Sequence, residues 1–438
     1  MAELNFADVS LKVAQWEHLD YNAQQDLLAR PALAASDKIE TVVADVIKTV
    51  RQSGDLALKN YAKLFDKTDI ESVLVPHSQI EAAASQLSSD FKAAVATAKA
   101  NVEAFHRAQI PQAVDIETMP GVRCELRHQA IESVGLYVPG GSAPLPSTVL
   151  MLAIPALIAG CKRIVLSSPP PIAAEILYTA NLCGVQQVYA AGGAQAIAAM
   201  AFGTQSVQKV DKIFGPGNAY VTEAKRQVSN RYGGAAIDMP AGPSEVLVIA
   251  DHFANPHFVA ADLLSQAEHG PDSQVVLVSD SDQLIEQTRI SLSEQLQKLS
   301  RGSIASQAIS HSMAIKVADM QQAMAVSNQY GPEHLIIQTQ EPRSLLEHVR
   351  DAGSVFLGEW TPESVGDYAS GTNHTLPTYG YTRTYSSLGT ADFMKRFTVQ
   401  ELSEPGLKSL RDAVVHIANA EGLDAHRRAL TIRLGEEQ

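Results

Sequence analysis

Apolar residues recur at helical spacing in the first part of this chain. Ile39, Val42, Val43, Val46, Ile47 and Val50 fall at three- and four-residue steps. This predicts a helix over 36–64, with Ser36 and Asp37 as N-cap candidates. A second helix is predicted over 78–108, with a short strand at 72–76 between the two. Residues 114–127 are polar and read as a two-stranded hairpin turning at Pro120-Gly121. From Ile131 the pattern changes. Short apolar runs at 134–138, 163–167, 188–191 and 212–214 alternate with helical stretches at 147–159, 173–182, 194–202 and 220–231. A second series of runs follows at 246–250, 275–278, 314–317, 335–337 and 355–357. Uninterrupted apolar strands separated by helices predict parallel sheets covered on both faces. We expect an α/β protein of two units, the first inserted into the second, because residues 36–130 need a partner. Beyond about Trp360 the alternation stops. Residues 366–389 read as loop and 407–420 as helix, a tail of the kind that wraps a neighbouring subunit.

Composition narrows the class. The 438 residues leave room for two to four domains. A formal charge of −14 argues against polyanion binding driven by global charge. Cys124, Cys161 and Cys183 lie far apart, which excludes a disulfide framework and a cysteine-rich zinc site. Any metal must be held by histidine, carboxylate or amide. This cysteine usage fits a reducing cytoplasm. Residues 1–20 carry Glu3, Asp8 and Glu17 and do not read as a signal peptide. The longest apolar run, 149–161, is too short to span a bilayer and contains Pro155, so it reads as a buried helix.

Three strand–glycine–helix turns stand out: Val138-Pro-Gly140-Gly141-Ser142, Ala191-Gly192-Gly193-Ala194-Gln195 and Gly215-Pro-Gly217-Asn218. None is a full dinucleotide fingerprint. In one α/β unit they would share a sheet edge, where backbone N–H groups meet phosphate or ribose. Ordinary turns using glycine for positive φ remain the alternative. Of thirteen histidines, His18, His77, His106, His128, His252, His257, His311 and His348 read as solvated surface, and His416 as a structural residue within a helix. Gln266 and His269, three apart at a helix end before Gly270-Pro271, share a helical face and suit two metal ligands. A polar helix end with His complementing the dipole is the plainer alternative. Glu333-His334 sits at a Gly-Pro turn before a strand and suits general-base work. Asp367 lies in a glycine-flanked loop, and Glu421 and His426 flank a helix break at Gly422.

The blocks Ser265-Gln-Ala-Glu-His-Gly270, Tyr330-Gly-Pro-Glu-His-Leu335, Val365-Gly-Asp-Tyr-Ala-Ser-Gly-Thr-Asn-His374, Phe214-Gly-Pro-Gly-Asn218 and Asp238-Met-Pro-Ala-Gly-Pro-Ser-Glu245 resemble the histidinol dehydrogenase family, in order and over essentially the whole chain. The resemblance implies two incomplete Rossmann-like units with small terminal segments for dimerisation. The expected division is 1–31, 32–136, an inserted NAD-binding unit 137–245, 246–388 with the zinc and catalytic residues, and a helical dimerisation tail 389–438. It implies zinc ligands Gln266, His269, Asp367 and His426, the last reaching across an intertwined homodimer. It implies an acid–base pair Glu333 and His334, and NAD contacts Tyr137, Gln195 and Asn218 on the three glycine turns. Implied substrate contacts are Ser244, Gln266, His269, His334, Asp367, Glu421 and His426. The implied reaction is the zinc-dependent, NAD-dependent four-electron oxidation of L-histidinol to L-histidine through L-histidinaldehyde, in the cytoplasm, with no nucleic-acid or membrane partner. A paralogous dehydrogenase of another amino alcohol or polyol is the near alternative, and a zinc hydrolase the one from another class. A substrate panel separates the first. A nucleotide requirement separates the second.

Overall fold

The computed structural model describes residues 9–30, 36–140, 144–240 and 242–436. In chain order its strands are β1 (Lys12–Gln15), β2 (Val114–Met119), β3 (Val122–Ala130), β4 (Ser133–Tyr137), β5 (Arg163–Ser168), β6 (Gln187–Ala190), β7 (Lys212–Phe214), β8 (Ala236–Ile237), β9 (Glu245–Ala250), β10 (Gln274–Ser279), β11 (Met313–Lys316), β12 (His334–Gln338), β13 (Ser354–Leu357) and β14 (Met394–Leu402). They form three sheets. A five-stranded parallel sheet has the order β6-β5-β4-β7-β8. A six-stranded parallel sheet has the order β1-β11-β10-β9-β12-β13. The third, β14-β3-β2, is antiparallel. The five-stranded unit is inserted between β1 and β9 of the six-stranded one, so the expected insertion is present, though the ground for expecting it, a partner for residues 36–130, is not what the packing shows.

Both parallel sheets share one winding. Three strands run outward in one direction from a first central strand, β4 or β9. The chain then crosses back to the other side of that strand, at β7 or β12. Each sheet therefore has a point where neighbouring connections leave in opposite directions, the place where α/β proteins open a crevice. Strands β9, β10 and β12 are buried at every residue, because helices cover both faces. No helix among the described residues is long and apolar enough to cross a membrane.

Several elements differ from the sequence expectation, each for a local reason. The helix expected over 36–64 is two, Ser36–Ser53 and Asp55–Phe65. Gly54 breaks it at φ +55, and a Cβ there would lie 2.1 Å from Gln205 Oε1, which accepts from the Asp55 N–H. The side chains of Ser36 and Asp37 lie outside the described residues. The helix expected over 78–108 is split as well, because the Ser88 hydroxyl caps a new start by accepting from the Phe91 N–H at 3.1 Å. Residues 72–76 make only a single bridge, Leu74 to Tyr189.

The pattern leaves residues 36–130 to the outer unit, but the helices up to Arg107 pack on the inserted one. Val43, Ile47 and Leu58 are buried with Ile197 and Val221, and Ile80 and Val102 with Leu136 and Met151. Three strands escape the pattern: β8 is only two residues at the edge of the inserted sheet. β1 completes the outer sheet from within the expected N-terminal segment, and β14 pairs with β3 over nine residues of a tail read as strandless. Asp367 lies on a short helix, Glu363–Tyr368, and not in a loop.

Candidate active site

A cleft of about 400 Å³ lies between the two parallel sheets. One wall is the carboxyl edge of the inserted sheet: Pro139 and Gly140 after β4, and Gly215 to Asn218 after β7. This is that sheet's switch point. The other wall is the amino edge of the outer sheet: Ser244 before β9, Glu333 before β12, and His334 as the first residue of β12. The two units thus stack head to tail. Asp367, Tyr368 and His374 close one side, and His269 stands at the mouth.

The turn carrying Glu333 and His334 is set by Gly331, left-handed at φ +65, which ends the helix Met320–Tyr330. His334 is buried, and its Nδ1 pairs with the Glu245 carbonyl at 3.0 Å. That fixes Nδ1 as the protonated nitrogen of the neutral ring. Among the described residues Nε2 has no hydrogen-bond partner; it lies 3.6 Å from Asp367 Oδ1. In its neutral form the ring therefore carries its lone pair on Nε2, on the Asp367 side; in its charged form it presents an N–H there. Burial opposes charge on His334, but the carboxylates of Glu363, Glu333 and Asp367 overcome it and hold the ring's pKa well above the usual imidazole range. Burial pushes Glu333 up to about 8 against the pull of His334. Its Oε2 accepts from the Glu245 N–H at 2.9 Å. Burial also lowers His269 and His374. For Asp367 the opposing burial is outweighed by the histidines around it, chiefly His334, and its pKa falls.

Beside this pair lies a set of metal-type donors. One ligand atom each from His269, Glu363 and Asp367 falls within 4.8 Å of the others. Gln266 is fully buried on the adjoining helix Pro256–Ala267, and its amide has two readings. In one, the oxygen faces acceptors only, next to Glu363. In the other, Nε2 donates to Glu363 Oε1 at 2.5 Å and the oxygen accepts from the Glu245 N–H at 3.1 Å. The second satisfies the amide within the protein. The first points oxygen into a ring of acceptors, which is the arrangement a cation stabilises. Imidazole, carboxylate and amide donors in this set fit a divalent ion of zinc type.

The fold therefore brings together Gln266, His269, Glu333, His334, Asp367 and Ser244. It does not bring Glu421 or His426 there. Both stand exposed, Glu421 at the end of the helix Glu404–Ala420 and His426 on the helix Asp424–Thr431, and neither lines the cleft. Of the three glycine-turn residues, Asn218 lines the cleft and caps the helix Ala219–Ser229, accepting from Tyr220 and Val221 N–H groups. Tyr137 ends β4 and Gln195 lies in the first turn of the helix Gly193–Phe202 that follows β6; both are buried and neither lines the cleft, and the Tyr137 hydroxyl accepts from the Gly193 N–H at 3.0 Å. Gly141 and Ser142 of the first turn lie outside the described residues.

Two residues of this site have no role in the sequence reading, although His374 closes one of its motif blocks. Glu363 sits one turn before Asp367, and His374 is held by the Asp367 carbonyl at 2.9 Å and Thr148 Oγ1 at 3.2 Å. The i, i+4 spacing of Glu363 and Asp367 is a signal, but only on a helix. His106, expected on the surface, is fully buried, pairing with the Val102 carbonyl and Asn373.

The Gly215 turn is held by a buried ion pair. Asp238 Oδ2 accepts from the Gly215 N–H at 2.8 Å, and Lys225 Nζ donates to the Gly215 carbonyl at 2.9 Å and pairs with Asp238. A Cβ on Gly215 would lie 2.1 Å from the Tyr137 carbonyl, so the turn can close this tightly only with glycine. Replacing Lys225 by Met leaves a buried carboxylate alone, and we expect a loss of about 3–5 kcal/mol of stability, read by urea unfolding.

Fold and cleft together define an α/β enzyme in which a nucleotide-type sheet edge meets an acid–base pair and a donor cluster. Comparison with known proteins agrees. The family model described as histidinol dehydrogenase matches residues 29–434. The histidinol dehydrogenase of Vibrio parahaemolyticus is 60% identical over 424 residues, covering 97% of this chain and 98% of its own. That of Vibrio cholerae is 59% identical over 428 residues, covering 98% of this chain and 99% of its own. The crystal structure of histidinol dehydrogenase from Elizabethkingia anophelis superposes with a TM-score of 0.93 at 46% identity, covering 97% of this chain and 98% of that one. The chain belongs to the histidinol dehydrogenase family, the oxidoreductases of histidine biosynthesis.

Proposed function

We propose that this enzyme converts L-histidinol to L-histidine in two successive NAD⁺-dependent oxidations, with L-histidinaldehyde kept bound between them. What carries the reading is the His334 ring: its Nδ1 is committed to the Glu245 carbonyl, while Nε2 is unpartnered in a cleft that runs to the nucleotide-type edge at Asn218.

Gln266, His269, Asp367 and His426 of the partner subunit would hold zinc, which anchors the imidazole and amine of the substrate when bound. Tyr137, Gln195 and Asn218 would mark the edge that receives NAD⁺, which would supply the two-electron acceptor for each oxidation. His334, in its neutral form, would take the hydroxyl proton at Nε2 in the first oxidation. Adding water to the aldehyde needs a second base, and Glu333, lifted to about 8 by burial, is matched to that work near neutral pH. Ser244 lines the same wall and suits a substrate contact; Glu421 from the partner subunit completes the set. The reading makes the protein a cytoplasmic homodimer with no nucleic-acid or membrane partner. The free state of Cys124, Cys161 and Cys183 accords with a reducing compartment.

The test is a stoichiometry. With limiting L-histidinol and excess NAD⁺, two NADH are expected per histidinol consumed, with histidine as product. One NADH with free aldehyde sinks the four-electron reading. Turnover without nucleotide favours a hydrolase.

A further inference from the structure

Both residues of the acid–base pair are held by one backbone. The Glu245 N–H donates to Glu333 Oε2 at 2.9 Å, and the Glu245 carbonyl receives His334 Nδ1 at 3.0 Å. Glu245 opens β9, beside β12, in the register that pairs His334 with Val246. The rotamer of Glu333 and the tautomer of His334 therefore depend on where this single residue sits.

Glu245 is an odd choice for that place. Its side chain is 2% exposed, and an isolated carboxylate there is strongly disfavoured. It is kept by Arg30, far off in sequence. Arg30 Nε donates to Oε1 at 2.7 Å and Nη2 to Oε2 at 2.9 Å, a two-pronged pairing. The same Nη2 donates to the carbonyls of Tyr330 and Gly331 at 2.9 and 3.1 Å. The guanidinium also stacks 4.0 Å over the Tyr330 ring. The Tyr379 N–H adds a bond to Oε1 at 2.8 Å. One cation thus ties the start of β9 to the turn that delivers Glu333 and His334 into β12. Nothing in a simple structural role requires this: an apolar pair of similar volume in a buried place is often as stable as an ion pair.

We propose that Arg30 is a positioning residue for catalysis, acting through Glu245 to fix Glu333 and His334 for proton transfer. This rests on the assignment of His334 as the proton acceptor. Arg30 touches neither base. Its effect travels through a carboxylate and one peptide unit, so it sets geometry and not chemistry. Lys cannot replace it, since an ammonium lacks the planar fork that reaches two carboxylate oxygens and two carbonyls together.

The test uses full-length Arg30→Met, Arg30→Lys, His334→Asn and the double variant Arg30→Met/His334→Asn, each assayed with L-histidinol and NAD⁺. Arg30→Met is expected to lose about 10²-fold in kcat, the scale of a small misplacement of reacting groups, with KM for histidinol near wild type. Arg30→Lys should recover little of it. Added guanidinium chloride at millimolar concentration should restore part of the kcat of Arg30→Met and none of that of Arg30→Lys, where the ammonium fills the space. In the His334→Asn background the Arg30 substitution should cost much less than in the wild type, because one of the two bases it positions is gone and only Glu333 remains to be displaced. Additive losses overturn the proposal. So does a lower melting temperature with kcat per folded molecule unchanged, which marks a structural role alone. Should His334→Asn itself keep full activity, the assignment of the base fails, an outcome separate from the other two. If the Met variant does not fold, the Lys variant and its own double with His334→Asn carry the same comparison.

Discussion

Replacing His334 by Asn is expected to lower kcat by about 10²–10⁴-fold, the usual contribution of a positioned base. The substitution is chosen for what it keeps. The Asn amide N–H can still donate toward the Glu245 carbonyl, so β12 and the Glu333 turn retain an anchor, while the lone pair now at Nε2 disappears. KM for histidinol should change little, because the donor cluster of Gln266, His269 and Asp367 is untouched. Steady-state kinetics with metal analysis of the purified variant checks this. A variant of unchanged kcat would remove His334 from the chemistry. A variant that loses metal would recast it as a support for the cluster, 3.6 Å from Asp367. Losses in kcat and kcat/KM of equal size are the signature of an interaction made only in the transition state.

How much of this was legible in the sequence depended on burial. Strands β4, β5, β7, β9, β10, β11, β12 and β13 are runs of apolar residues because helices cover both faces of their sheets, and such runs are readable without context. β14 has Lys395, Arg396, Gln400 and Glu401 on a largely exposed ribbon, and its order comes from the ladder to β3. No periodicity records a pairing partner more than 260 residues upstream. β1, four residues at a sheet edge, is equally silent.

The candidate site shows the same divide. Gln266, His269, Glu333 and Asp367 were found through local motifs, and each motif does end at the cleft. Glu363 was missed because a helix was not foreseen at 363–368, and without a helix the four-residue spacing to Asp367 carries no meaning. His106 and His374 were missed because their burial is decided by the contact between the two units. Asn373 donates to the Met151 carbonyl, and His374 meets Thr148, both on the helix Pro146–Ala159. Arg30 and Glu245 meet across 215 residues. An ion pair of that span leaves no trace in a single sequence.

Mixing two inactive variants, His269→Asn and His426→Asn, is expected to regenerate activity. Within one chain the donor cluster has His269, Glu363, Asp367 and Gln266, but His426 stands exposed on a separate pair of helices. Those helices contact each other, and the apolar side chains of Ile417, Leu423 and Ile432 on and around them are exposed; so are Val114, Ile116 and Phe397 on the antiparallel sheet. Exposed apolar side chains of this kind accord with the proposed dimer interface. If His426 acts across a symmetric dimer, as proposed above, each C-terminal arm would reach the other subunit's cleft and the two sites would be equivalent. After exchange of subunits, half of the dimers pair one variant with the other. In these, one site combines an intact His269 with an intact His426, and its twin lacks both. Roughly a quarter of all sites should then work, with bound zinc rising in the same proportion. Each variant alone should stay inactive and metal-poor. If activity fails to return although mixed dimers form, His426 serves its own chain or none. Recovery well above a quarter means that one of the two histidines is dispensable for holding the metal. The arm's apolar face gives the control: Ile417→Asp should weaken the dimer and lower activity at low protein concentration, with His426 itself unchanged.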